Sequence, residues 1–137
     1  MYQVIYFSRG GNTKKLAEAI AEELNVSAED VTKARLRSES EMVFLGSRCY
    51  GGKPGKEIMK FIKSNDFKGR DVALFGTSGG GKGDELNEMK DALKAKGVNI
   101  QGRFHCKGQT FWIINHGRPD NSDLKRAKEF ADDMIRE

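Results

Sequence analysis

Val4-Ile5-Tyr6-Phe7-Ser8-Arg9-Gly10-Gly11-Asn12-Thr13 passes within ten residues from a continuous apolar run, through a glycine turn, to the start of a helical pattern. An apolar run without polar breaks suits a strand buried on both faces, as in a parallel sheet. Beyond Thr13, Leu16, Ile20 and Leu24 recur every four residues with Ala17 and Ala21 beside them, which predicts a helix with one apolar face. The intervening glycines let the backbone aim its amides inward, and the helix start adds partial positive charge. Ser8, Asn12 and Thr13 contribute side-chain donors. A phosphate monoester fits such a nest; a plain tight turn ahead of a helix cap fits the same residues.

The same alternation continues outward. Met42 to Leu45 and Val72 to Phe75 are further apolar strands, and Val98, Ile100, Phe104 and Cys106 alternate with polar residues as a half-exposed strand does. Ile58 and Ile62, with Met59 and Phe61, predict a helix whose first turn takes Pro54. Leu86, Met89 and Leu93 predict another, stopped by Gly97. The last helix starts near Asn121 or Ser122 and buries Leu124, Ala127, Ala131 and Met134. Residues 25–41 carry the weakest signal, and a short edge strand is placed at Asp30 to Ala34. Strands alternating with helices imply parallel pairing through right-handed crossovers, hence a doubly wound α/β sandwich in one domain, 1–137. Ligands of such sheets bind beyond the carboxyl ends of the strands, where the winding reverses. Loops 8–13, 46–55 and 76–83, all rich in Gly, Ser, Thr or Asn, are expected to meet there.

Composition narrows the classes. Hydrophobic content of 37% and charged content of 32% describe an ordinary globular chain. No apolar run reaches the ~20 residues of a membrane span, and the first seven residues read as a core strand, so no membrane and a cytoplasmic setting are expected. Cys49 and Cys106 lack zinc-ligand spacing, and no metal site is expected. The net charge of +4 comes from interspersed acids and bases; its sharpest basic cluster, Lys33, Arg35 and Arg37, is short and lacks aromatic neighbours, so no nucleic acid is expected. The first loop lacks G-x-G-x-x-G, which argues against a dinucleotide fold. Gly76 to Lys82 matches G-x-x-x-x-G-K, but Gly83 stands where Ser or Thr must bind Mg²⁺. His105 and His116 have no carboxylate or nucleophile at readable spacing and read as surface or packing residues, as Cys49 does.

Tyr6-Phe7-Ser8-Arg9-Gly10-Gly11-Asn12-Thr13 resembles the opening of the flavodoxin family, an apolar strand followed by S/T-x-T-G-N-T. Val72 to Phe75 with Gly76-Thr77-Ser78-Gly79-Gly80-Gly81 is similar to that family's later strand and third flavin loop. The resemblance implies a flavodoxin-like three-layer α/β/α sandwich with a five-stranded parallel sheet in order 2-1-3-4-5. It implies FMN as cofactor and one-electron transfer between redox partner proteins, a reductase and an electron acceptor, by a carrier with no catalytic residues of its own. Ser8, Arg9, Gly10, Gly11, Asn12 and Thr13 would hold the phosphate; Ser47, Tyr50, Gly51 and Gly52 would wall the ring; Thr77, Ser78, Gly79 and Gly80 would line its polar edge. Tyr50 would offer a stacking face and turn its phenolic tip to solvent, and Gly51 matches the position where a peptide can flip. Lys53 and Lys82 would flank the ring.

Two departures stand out. Gly10 replaces the family's usual Thr, and 77–83 carries no aromatic residue, which leaves stacking to Tyr50, to Trp112 or to a partner. Two other readings follow: an activator of a metalloenzyme such as manganese ribonucleotide reductase, whose Tyr-Gly-Gly loop is similar to Tyr50-Gly51-Gly52, and a flavin-free binding module on the same fold.

Overall fold

The computed structural model describes residues 1–50, 52–79, 83–108 and 117–136. Along them run β1 (Tyr2–Phe7), α1 (Asn12–Glu23), β2 (Ala28–Asp30), β3 (Met42–Arg48), α2 (Lys56–Ser64), β4 (Asp71–Ser78), α3 (Asp84–Lys94), β5 (Asn99–Lys107) and α4 (Asn121–Ile135). Every strand pairing is parallel, and the five-stranded sheet has the expected order β2-β1-β3-β4-β5.

Successive residues of a strand point to opposite faces, and that divides the core in two. Val4, Phe44, Ala73 and Phe75 pack against Leu16, Ile20, Ala127 and Ala131 of α1 and α4. Ile5, Leu45 and Leu74 pack against Ile58 and Ile62 of α2 and Leu86, Met89 and Leu93 of α3. Burying both faces explains why the central strands read as unbroken apolar runs.

The strands outrun those apolar runs at their carboxyl ends. Gly46, Ser47 and Arg48 continue β3, and Gly76, Thr77 and Ser78 continue β4, although 46–55 and 76–83 were expected to be loops throughout. Close packing is the reason. Gly46 pairs with Phe75, whose ring lies 2.0 Å from where a Cβ on Gly46 would stand, so the glycine is there to admit the ring. The edge strand also falls earlier than expected, at Ala28–Asp30. Asp30 Oδ1 accepts from the Thr32 amide at 2.9 Å and the Thr32 hydroxyl at 2.8 Å, folding the chain into a turn that ends the strand. Pro54 precedes α2, whose N-cap is Gly55, instead of lying in its first turn.

α4 starts differently from α1, α2 and α3. Asp120 and Asp123 form a reciprocal capping box, and Arg118 and Arg126 both pair with the buried Asp123 carboxylate. Burial raises the Asp123 pKa, but hydrogen bonds from Arg118 and the Asp120 amide and the two guanidinium charges outweigh it, leaving the carboxyl below its ordinary value. Stability contributed by a group whose folded pKa is lowered is complete above its unfolded pKa and disappears as pH falls through the folded one. Asp123→Asn is therefore expected to cost about 1–2 kcal/mol near neutral pH. Thermal melts across pH should show the gap to the parent protein closing only in acid.

Candidate functional site

The first loop leaves β1 at Phe7 and turns at Gly11, whose φ of 88° is a left-handed conformation that glycine adopts without strain. Ser8 Oγ accepts the Gly11 amide at 3.0 Å, so Ser8 shapes the loop. Among the described residues no side chain caps α1. Its first-turn amides therefore face the carboxyl edge of the sheet with the positive end of the helix dipole. α3 likewise starts from a left-handed glycine, Gly83, with φ of 78° and no side-chain cap.

Two hydroxyl groups join this loop to β4. Thr13 Oγ1 and Thr77 Oγ1 lie 3.0 Å apart, and both residues are fully buried. They bond to each other beneath the surface and fix the distance between the first and third loops. Asn12 is also buried, packed where a Cβ on Gly108 would come within 2.8 Å of its side-chain nitrogen.

The second loop is held shut by Ser47. Its buried Oγ accepts the Gly55 amide at 2.9 Å and donates to the Arg48 carbonyl at 2.9 Å. Beyond it, Tyr50 and Lys53 pair as an antiparallel bridge across a turn that includes Gly52, with φ of 83°. The Gly52 amide donates to Cys49 Sγ at 3.2 Å.

Tyr50 is enclosed more than its sequence context implies. Its ring lies 6.1 Å from Phe7, and the Arg9 and Arg48 guanidinium groups sit 5.4 Å and 5.8 Å from its centroid. The hydroxyl, expected in solvent, is buried and has no hydrogen-bond partner among the described residues. Burial accordingly pushes the Tyr50 pKa up, against the nearby cationic charge of Arg48. Arg48 was not foreseen as a site residue. Its Nη1 stands 3.4 Å from where a Cβ on Gly10 would project, at van der Waals contact, so the guanidinium lies against the first loop.

A model of the flavodoxin domain family matches residues 3–115. The chain belongs to the flavodoxin family. It is 33% identical over 136 residues to an uncharacterised protein of Methanocaldococcus jannaschii, covering 91% of each chain. It is 28% identical over 109 residues to a flavodoxin of Clostridium beijerinckii, covering 72% of this chain and 79% of that one. Its fold superposes on a solved flavodoxin from the domain Archaea with a TM-score of 0.76 at 23% identity, covering 97% of this chain and 94% of the other.

Against the flavodoxin-like expectations, the three loops do converge at one edge. Ser8, Arg9, Gly10 and Gly11 lie at its surface or half-buried, whereas Asn12, Thr13, Ser47 and Thr77 lie beneath it. Ser78 is buried at the end of β4 and Gly79 follows it half-buried. Gly51, Gly80, Lys82, Trp112 and His116 lie outside the described residues.

His105 departs from its reading as a residue without a partner. Its Nε2 is 2.7 Å from Glu85 Oε1, with the carboxylate fully buried, although the two groups lack the alignment of a hydrogen bond. The carboxylate sits beneath β4: a Cβ on Gly76 would stand 2.5 Å from Oε1. Glu85 is on α3 and His105 on β5, so twenty positions of sequence hide a contact made only when the helix packs on the sheet. The pair also bears on Cys49, whose thiol pKa is raised by burial and then by the Glu85 charge. Removing the imidazole leaves a buried polar side chain without its nearest polar neighbour. His105→Phe is expected to lose about 1–3 kcal/mol in urea unfolding, and adding Glu85→Leu should restore most of it.

Proposed function

We propose that the carboxyl edge of the sheet holds flavin mononucleotide, and that the chain, as one flavodoxin-like domain, carries electrons between a reductase and an acceptor protein in the cytoplasm. The observation that carries this reading is the first loop. In a chain of the flavodoxin family, a helix with no side-chain cap among the described residues starts from a left-handed glycine, Arg48 Nη1 stands beside Gly10, and the Arg9 and Arg48 guanidinium groups both lie over Tyr50.

The residues fit the ligand on chemical grounds. A phosphate dianion suits free amides at a helix N-terminus, and Arg9 with Arg48 adds positive charge. Ser8 and Gly11 would shape the nest through the bond between them, and the N-terminal end of α1 would face the phosphate. The Thr13 hydroxyl would act through Thr77, holding the first loop against the third. Tyr50, anchored by Phe7, would wall the flat ring system, with Gly51 and Gly52 beside it. Backbone groups of Thr77 to Gly80 would meet the polar edge. When bound, the flavin supplies one- and two-electron redox chemistry; the protein binds it, orients it and limits water around it.

Calorimetry of the purified protein with FMN is expected to show binding, and Tyr50→Ala should weaken it about fivefold or more through lost aromatic contact. A colourless protein that gives no heat with FMN would leave the flavin-free module. Cations near the ring favour its reduced, more anionic form. A charge at ~8 Å with effective dielectric ~40 contributes ~1 kcal/mol, or roughly 45 mV for one electron. Redox titration of Lys53→Gln is therefore expected to give a midpoint lower by some tens of millivolts.

A further inference from the structure

A groove of about 480 Å³ runs between α2 and α3, lined by Lys53, Pro54, Lys56, Met59, Lys60, Lys63, Ser64 and Glu88. All four lysines are exposed, and among the described residues their ammonium groups form no ion pair. Glu88 is the only carboxylate on its walls. The groove begins at the second loop, where Lys53 pairs with Tyr50, and continues along α2 away from the candidate site.

This charge pattern is not simply a solvated helix face. Lys56 and Lys60 are spaced i,i+4, and Lys60 and Lys63 i,i+3, so like charges face each other along one stripe. Such pairs weaken a helix by a few tenths of a kcal/mol each. Lys56 also occupies the first turn, where the helix dipole disfavours a cation, although Glu57 beside it and Lys63 in the last turn suit the dipole. The opposite side of the sheet is built otherwise. In the α1–α4 groove Lys15, Lys125 and Lys128 alternate with Glu18 and Glu22, and Lys128 pairs with Glu22 at 3.1 Å. One face neutralises itself; the other keeps its charge beside the site.

We propose that the lysine-lined α2–α3 groove is the docking surface for the acidic face of a redox partner protein; this rests on the electron-transfer reading above. Complementary charge would steer the partner to the end of the molecule where Tyr50 and Lys53 stand, and half-buried Met59 supplies apolar contact at the groove floor. Steering of this kind weakens with added salt.

The test measures binding of an acidic plant-type ferredoxin to the FMN-free and the FMN-loaded protein at low salt, by calorimetry and by amide shifts of the labelled protein. Lys56→Glu/Lys60→Glu/Lys63→Glu is expected to lower affinity about tenfold or more, with Lys56→Gln/Lys60→Gln/Lys63→Gln intermediate. Shifts in the parent protein should centre on α2 and fade as salt rises. FMN affinity, measured on the same variants, should not change, so loss of FMN binding and loss of docking are separate outcomes. Ferredoxin binding unaffected by the three reversals, basic cytochrome c bound as tightly as ferredoxin, or an oligothymidine bound more tightly than either would overturn the proposal.

Discussion

Inside a parallel sheet each strand amide is satisfied by its neighbour, and that arrangement ends where the strands end. β1, β3 and β4 are buried on both faces, so their connections have to leave at the sheet's edges, and at the carboxyl edge three of them lie side by side. The ladder thus sets where backbone groups become available to a ligand. Hydroxyl groups complete the arrangement: Ser47 closes the second loop onto Gly55, and Thr13 meets Thr77 between the first and third. Close approach of Gly46 to Phe75 and of Gly76 to Glu85 lets the strands run on as far as that edge.

Charge is distributed by the same architecture. α4 brings its own carboxylates to its N-terminus, and Arg118 and Arg126 neutralise the buried one, so this helix start has its positive end already answered. α1 and α3 have no such cap. Arg9 and Arg48 add positive charge around Tyr50, and the lysines of α2 extend it along one flank.

Much of this was legible in the residues, for physical reasons that differ from element to element. Val4 to Phe7, Met42 to Leu45 and Val72 to Phe75 announce themselves because strands buried on both faces have no room for polar residues. α1 is equally plain, since Leu16, Ile20 and Leu24 fall on one stripe. β2 is not, because Ala28-Glu29-Asp30 is a short, half-buried edge strand with no apolar pattern. The polar ends of β3 and β4 look like loop and become strand only because a neighbour's side chain fills the glycine's empty side. In the candidate site, local features were readable: the glycine turn, Ser8 and Tyr50. Contacts between elements were not, and they include Arg48 over Tyr50 and His105 beside Glu85.

The Thr13–Thr77 bond joins positions 64 residues apart. Closing a flexible chain over that span costs roughly 4 kcal/mol in entropy, and only a nearly complete core offsets it. During synthesis the first strand and its glycine turn leave the ribosome long before β4 exists to receive them. A half-made chain thus possesses the sequence of the nest without its walls, and the pocket matures with the last of the sheet.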